Sequence, residues 1–147
     1  MNTDFNNMKK IFLQVLNGHL KDISIPFKMD KIEERKTSHG HSILNVAIAF
    51  PGAYSDLRVY AINEYTFGIG VVVKEKNGKN HFSIVDYLAY KNIPGENKFV
   101  FDVHNVNCAD GFDATLTYFV SLCNTSLKNV LLGKVWEDIP FDWSNYK

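Results

Sequence analysis

The clearest structural signal in the sequence lies in residues 66–90, TFGIGVVVKEKNGKNHFSIVDYLAY. Asn77-Gly78 separates two runs of alternating residues, and this dipeptide is typical of a two-residue type I′ β-turn. Because such a turn fixes the pairing register, the sequence predicts a β-hairpin of residues 66–76 and 79–90. The expected cross-strand pairs are Val73–Phe82, Val71–Ile84 and Phe67–Leu88.

Two glycines lie on the other face of this predicted hairpin. Gly68 is expected opposite Tyr87, and Gly70 opposite Val85. A tyrosine packed over a bare strand glycine fills the space that the missing side chain leaves. Gly68-Ile69-Gly70 lies inside a strand and lacks the third glycine of a dinucleotide-binding motif, so we assign the glycines to sheet packing.

Three polar residues form a possible polar site. The hairpin register places Asp86 on the apolar face, where a buried carboxylate is costly unless it is paired. Asp102 and His104 lie on the outward side of another predicted strand, residues 98–106. Two interpretations of Asp86 stay open: it belongs to a functional site, or a β-bulge turns it outward, which we favour.

Two helical patterns flank the strands. Apolar residues recur at steps of three and four over residues 3–20 and again over 112–132. We expect Thr3 to cap the first helix and either Asp110 or Asp113 to cap the second. Gly133 stands where a left-handed helix terminator belongs.

The order of these elements predicts the fold class. Further strands are expected over residues 23–29, 42–50 and 57–63, where apolar residues alternate with polar ones. Helix, strands and helix in this order indicate an α+β fold. We expect a single domain over residues 1–147, with a mostly antiparallel β-meander of about five or six strands packed by an N-terminal and a C-terminal helix.

Composition and charge narrow the classes of function. The 147 residues include 16 Lys and Arg against 16 Asp and Glu, so the net charge is zero. This balance disfavours a basic nucleic-acid binder. Two cysteines make no disulfide scaffold, and no apolar run approaches the ~18 residues of a membrane span. We therefore expect a cytoplasmic protein, a monomer or dimer, that binds neither nucleic acid nor membranes.

Motifs for catalysis are weak. A metal site needs three or four converging ligands, whereas His39 and His41 are separated in sequence from Asp102 and His104. Cys108 follows His104 by four residues, but no oxyanion-donor motif accompanies a thiol and base there. We expect no catalytic residue, metal or cofactor.

The last part of the chain combines acidic and aromatic residues. Acidic residues outnumber basic ones by 8 to 5 in residues 80–147. Tryptophan is enriched among interface hot spots, and acidic residues at a rim speed association. Alternatively, Trp136 and Trp143 fold back and cover the core, and this is the packing that we favour for the two tryptophans. The predicted partner-binding residues are Asp110, Asp113, Trp136, Glu137, Asp138, Asp142 and Trp143.

In build, the chain resembles the small cytosolic immunity proteins of bacterial toxin–immunity pairs, such as those of contact-dependent growth inhibition. The resemblance rests on one α+β domain, the absence of a catalytic motif, and the acidic, aromatic ending from Trp136-Glu137-Asp138 to Trp143. It implies a non-enzymatic protein that neutralises a toxin, commonly a nuclease, by covering its active site. The alternative is a small-molecule carrier with a pocket between the sheet and a helix.

Overall fold

An antiparallel β-meander forms the centre of the fold, as the sequence predicts. The computed structural model describes residues 5–36, 38–63 and 65–140, and the sheet in this part of the chain has six strands. Strands β1 to β5 are neighbours in the order of the sequence, and β6 pairs with β4. The strands are β1 (Lys28–Lys36), β2 (Ser42–Ala49), β3 (Ala53–Ala61), β4 (Thr66–Glu75), β5 (His81–Ser83) and β6 (Val100–Asp102).

Helices pack against one face of this sheet. They are α1 (Phe5–Leu20), α2 (Ile84–Tyr90), α3 (Cys108–Asn124) and α4 (Lys128–Leu132). Helices α1 and α3 meet through Phe12 and Phe112, whose rings contact edge to face with centroids 5.2 Å apart. Their apolar stripes cover alternate residues of the central strands, which form the buried core. The α+β fold with a meander sheet and flanking helices is therefore confirmed.

The predicted hairpin is correct only near its turn, and the turn is not of type I′, because neither Asn77 nor Gly78 has the positive φ that this type requires. Val73 pairs with Phe82 as predicted, but the second strand ends at Ser83 and the chain enters α2. The Ser83 hydroxyl accepts a hydrogen bond from the backbone N–H of Asp86 at 3.2 Å and thereby caps the helix. The pairs Val71–Ile84, Phe67–Leu88, Gly68–Tyr87 and Gly70–Val85 are wrong, and so is the β-bulge expected at Asp86, because residues 84–90 form α2 and not a strand.

Tyr60, rather than Tyr87, covers Gly68. Tyr60 and Gly68 are cross-strand partners on β3 and β4, and a Cβ on Gly68 would lie 2.9 Å from the Tyr60 ring. Tyr87 instead stacks on Phe82, and its hydroxyl donates a hydrogen bond to the Ser126 carbonyl at 3.2 Å. A tyrosine ring does cover Gly68, as predicted, but this tyrosine belongs to β3.

Helix boundaries differ from the predictions at three points. The cap of α3 is Asn107, whose side chain accepts a hydrogen bond from the Asp110 N–H at 2.8 Å, so neither Asp110 nor Asp113 caps it. The predicted helix over 112–132 is two helices, because the chain leaves helical geometry at Thr125. Gly133 does terminate α4 with a φ of 82°, and Thr3 lies outside the described residues.

Two predicted strands also differ from those in the structure. The expected strand over 23–29 is mostly non-strand chain, and β1 begins only at Lys28. The expected strand over 98–106 begins as a 3-10 turn, Glu96–Phe99, which leads into the three-residue β6. Short, isolated apolar alternations favour a strand locally, but tertiary packing decides whether a partner strand lies beside them.

Candidate functional site

The predicted acidic surface begins at the N-terminal end of α3. Asp110 and Asp113 are exposed there. The Asp110 carboxylate accepts a hydrogen bond from the Asn107 side-chain amide at 2.9 Å. The Asp113 carboxylate lies 2.7 Å from Nε2 of His19, near the end of α1. These two acids therefore also hold α3 to its cap and to α1.

The other predicted contacts lie against different elements. The half-buried Trp136 packs on Phe82 of β5, with ring centroids 5.3 Å apart. The Glu137 carboxylate lies 2.8 Å from Nζ of Lys91, next to α2, and this hydrogen bond raises the pKa of Lys91. Asp138 is exposed. Asp142 and Trp143 lie outside the described residues. The predicted contacts thus form two groups, one beside α1 and one beside α2.

The possible polar site is only partly assembled. The backbone N–H of His104 donates a hydrogen bond to the Asp102 carboxylate at 2.8 Å, and the imidazole of His104 stacks against Tyr65. Asp86 belongs to the first turn of α2 and is half-buried. It has no hydrogen bond or ion pair with Asp102 or His104. Over residues 5–36, 38–63 and 65–140, no three His, Cys, Asp or Glu side chains form a candidate metal site.

The sequence predictions missed the face of the sheet opposite the core. Buried apolar residues of all four helices belong to the core on the first face. The alternate residues of the strands lie on the other side, which no described helix covers. We call this the second sheet face; its central residues are Ala47 and Asn45 on β2, Tyr54, Asp56, Arg58 and Tyr60 on β3, and Gly68, Gly70 and Val72 on β4.

Charges on the second sheet face are paired unevenly. Asp56 is only 7% exposed, and its carboxylate lies 2.6 Å from Nζ of Lys74. Glu33 on β1 contacts both Lys31 at 3.1 Å and Arg35 at 3.7 Å. Arg58, by contrast, has no ion pair or hydrogen bond through its side chain with any described residue. Its Nε is buried without a partner.

Surface cavities occur away from the second sheet face. One of about 400 Å³ lies between the Pro51-Gly52 turn and the end of α4, and one of about 440 Å³ follows α2. A third, of about 270 Å³, lies along residues 136–140. None of these three is lined by α1 or α3.

Comparison with known proteins assigns no family. No family model matches the chain, and no curated protein and no solved structure gives a significant match. Among the described helices, none combines the length and the apolar character needed to cross a membrane. Function must therefore be inferred from the chain's own surfaces.

Proposed function

We propose that this protein is a non-enzymatic protein-binding domain that neutralises or regulates a partner protein. This is the role implied by its resemblance to the immunity proteins of bacterial toxin systems. The observation that supports it best is the second sheet face, whose central strand carries Tyr54, Arg58 and Tyr60. Tyrosine and arginine are among the residues that most often dominate binding energy at protein interfaces.

The second sheet face is large enough for a specific interface. Strands β1 to β4 have eight to ten residues each. With a spacing of ~4.8 Å and a rise of ~3.4 Å per residue, they span roughly 15 by 30 Å. A typical stable interface buries ~800 Å² on each partner. The face itself covers roughly 450 Å², about half of that area, and the side chains at its edges would supply the remainder.

The composition of this face differs from that of a purely solvated sheet. A sheet face exposed to water normally carries polar residues at every second position. Here small or apolar residues occupy the space between the tyrosines: Ala47, Ala49, Gly68, Gly70 and Val72. Ala49, Gly70 and Val72 are half-buried and leave room for side chains of a partner, whereas the Tyr60 ring already covers Gly68.

The acidic residues predicted from the sequence are a second part of the proposal. Asp110 and Asp138 are exposed, whereas Asp113 and Glu137 already contact His19 and Lys91. We expect these acids to affect the rate of association more than the lifetime of the complex, because exposed charges mainly steer encounter. A basic cleft, such as that of a nuclease toxin, is the complementary surface.

A pull-down from the native host tests the function, with three versions of the protein compared in parallel. Tyr60→Ala removes a ring from the second sheet face, and Glu137→Lys with Asp138→Lys and Asp142→Lys reverses charge in the C-terminal segment. We expect wild type to capture one partner stoichiometrically, Tyr60→Ala to lose it, and the charge-reversed protein to capture it more slowly. Co-expression with the partner should relieve any toxicity of that partner.

One result would contradict the proposed function, and another would contradict only the choice of the second sheet face as the interface. If no protein is captured and a small molecule copurifies, the carrier alternative is correct. If the charge reversal abolishes capture while Tyr60→Ala has no effect, the protein binds its partner through the C-terminal acids and the second sheet face is not the interface. Gly68 packs against Tyr60, so circular dichroism of each variant must first show an intact fold.

A further inference from the structure

Arg58 and Asn45 are neighbours at the centre of the second sheet face. They are cross-strand partners on β3 and β2, which places their Cβ atoms ~4.5–5.5 Å apart. On the other side of Arg58 the partner is Gly70, which has no side chain. The row across the sheet therefore consists of an amide, a guanidinium and a glycine.

Both polar side chains have a buried atom without a partner. Asn45 is only 6% exposed, and its Oδ1 has no hydrogen bond. The Nε of Arg58 is also buried and has none. Even if Arg58 Nε donated a hydrogen bond to Asn45 Oδ1, the two Nη atoms of Arg58 and the side-chain nitrogen of Asn45 would still have no hydrogen-bond partner among the described residues. Those nitrogen atoms have no partner among the described residues and, unlike Oδ1 and Nε, they are not buried.

The side-chain groups of Arg58 and Asn45 that are not buried are all hydrogen-bond donors. A guanidinium has five N–H groups and no acceptor, and the Asn45 side-chain nitrogen adds two more N–H groups. The ligand that satisfies them must therefore bring acceptors. The planar fork of arginine matches the two oxygens of a carboxylate, with two parallel hydrogen bonds.

No carboxylate of the described sheet neutralises Arg58. The nearest acids by register are Glu33, in the same row, and Asp56, two residues away on β3. Glu33 is engaged by Lys31 and Arg35, and Asp56 by Lys74.

The space above Gly70 is bordered by the Tyr60 ring but is not filled by it. A Cβ built on Gly70 would meet the Tyr60 ring at 3.8 Å and the Arg58 carbonyl at 4.0 Å, which are ordinary contacts. At Gly68, in the next row, the Tyr60 ring already fills the equivalent space. A side chain from outside can therefore reach the guanidinium over Gly70.

We propose that Arg58 and Asn45 form a carboxylate-binding site, and that its ligand is an aspartate or glutamate side chain of the partner protein, inserted over Gly70. The choice of a protein side chain as the ligand rests on the proposed function. The site itself does not, because small carboxylates can probe it in the isolated protein.

The first experiment titrates the full-length protein with acetate, at constant ionic strength, and follows the side-chain N–H signals by NMR. A buried Nε–H exchanges slowly with water, which makes the Arg58 signal observable. We expect acetate to shift the signals of Arg58 Nε–H and the Asn45 amide and to saturate them at millimolar to tens of millimolar concentration, on the scale of weak affinities. Acetamide, which is neutral, and the Arg35 signal are the controls. No saturable shift with acetate would overturn the site.

Three variants then test the geometry. Arg58→Lys keeps the charge but loses the fork, and we expect it to weaken acetate binding on the order of tenfold. Gly70→Val places a side chain over the site without changing any charge, and we expect it to abolish the shift. Arg35→Lys is the matched control on the same face and should change nothing. Equal affinities in Arg58→Lys and Arg35→Lys would overturn the role of the fork. If Arg58→Lys does not fold, the wild-type titration and Gly70→Val still decide the question.

The source of the carboxylate is tested with the captured partner. We expect Arg58→Lys and Gly70→Val to weaken partner binding at least tenfold, and Arg35→Lys to leave it unchanged. If acetate binds but partner affinity is the same in all variants, the assignment to a partner side chain is overturned and a free carboxylate is the ligand. If no partner exists at all, the proposed function fails, while the acetate titration still reports on the site.

Discussion

Ser55 is a buried polar residue that lowers the stability of the folded state. It lies on the core face of β3, 1% exposed, between Ile48 on β2 and Val73 on β4. Its hydroxyl has no hydrogen-bond partner. A buried hydroxyl that has given up its hydrogen bonds to water lowers the stability of the folded state. Ser83 is the opposite case, because its hydroxyl caps α2.

The same substitution should therefore have opposite effects at these two serines. We expect Ser55→Ala to leave the free energy of unfolding unchanged or to raise it by up to about 1 kcal/mol. We expect Ser83→Ala to lower it by about 1 kcal/mol, because an N-cap hydrogen bond is lost. Urea denaturation of both variants measures the difference. A destabilised Ser55→Ala would show that its hydroxyl has a partner in solution.

At the scale of elements, a glycine pair joins the sheet to the C-terminal helix. Gly52, in the turn between β2 and β3, donates a backbone hydrogen bond to the Leu131 carbonyl of α4 at 2.8 Å. The backbones of Gly52 and Gly133 pass so closely that a Cβ on Gly52 would overlap Gly133. Gly133 also requires its positive φ to end the helix. The absence of side chains here allows α4 to dock.

Two glycine-to-alanine variants test this contact. Gly52→Ala forces backbone atoms apart, and we expect it to lower the free energy of unfolding by about 3 kcal/mol or more, at the upper end of overpacking effects. Gly18→Ala is the control, since Gly18 lies inside α1 with nothing within 4 Å of a new Cβ. Alanine should stabilise that helix by about 0.5–1 kcal/mol. Thermal and urea unfolding distinguish the two, and a neutral Gly52→Ala would show that α4 docks differently.

At the scale of the whole molecule, burial makes stability depend on pH. Desolvation raises the pKa of the Tyr87 and Tyr118 hydroxyls, and it raises the pKa of the Cys123 thiol strongly. In the unfolded chain these groups ionise near their ordinary values, about 10 for tyrosine and 8.5 for cysteine. Above those values the folded state holds more protons than the unfolded state. Stability is therefore complete below about pH 8.5 and falls as the pH rises.

The free energy of unfolding at pH 7.5, 9 and 10.5 measures this dependence. We expect a decline that begins near pH 8.5 with Cys123 and steepens near pH 10 with the tyrosines. Cys123→Ala should be less stable at every pH, because it leaves a cavity, but its decline should begin only near pH 10. Loss of the thiol should reduce the slope by up to about 1.4 kcal/mol per pH unit. An unchanged slope would mean that Cys123 ionises in the folded protein.

Residues 84–90 show where sequence patterns become ambiguous. Ile84 and Leu88 are apolar at a spacing that fits both one face of a strand and one face of a helix. The turn at Asn77-Gly78 determines the register of β5 beside it, but its influence ends once the chain reaches a helix cap. Ser83 is such a cap, and it turns the chain into α2. Local signals were thus correct near the turn and wrong beyond it.

The second sheet face was only partly predictable from the sequence. Side-chain alternation along a strand is local, whereas the ion pairs on the face depend on how the strands pair. Alternation around Leu57 and Val59 places Arg58 and Tyr60 on the opposite face of β3, and that much follows from the sequence. Which acids pair with which bases does not, because Lys74 reaches Asp56 only through the β3–β4 register. The acids expected to converge near the C-terminus are likewise divided between contacts with α1 and α2.

The sequence by itself determined the features that arise within a few residues: the apolar stripes of α1 and α3, the position of the turn at Asn77-Gly78, the apolar face of β2 and the terminator at Gly133. Their causes are local, since backbone geometry and side-chain periodicity act over one or two turns. The tertiary structure decided that Tyr60 covers Gly68, that α4 docks on Gly52, and that Arg58 has no counter-ion among the described residues. These depend on strands and helices brought together from distant parts of the chain, where packing of the whole core selects the partners.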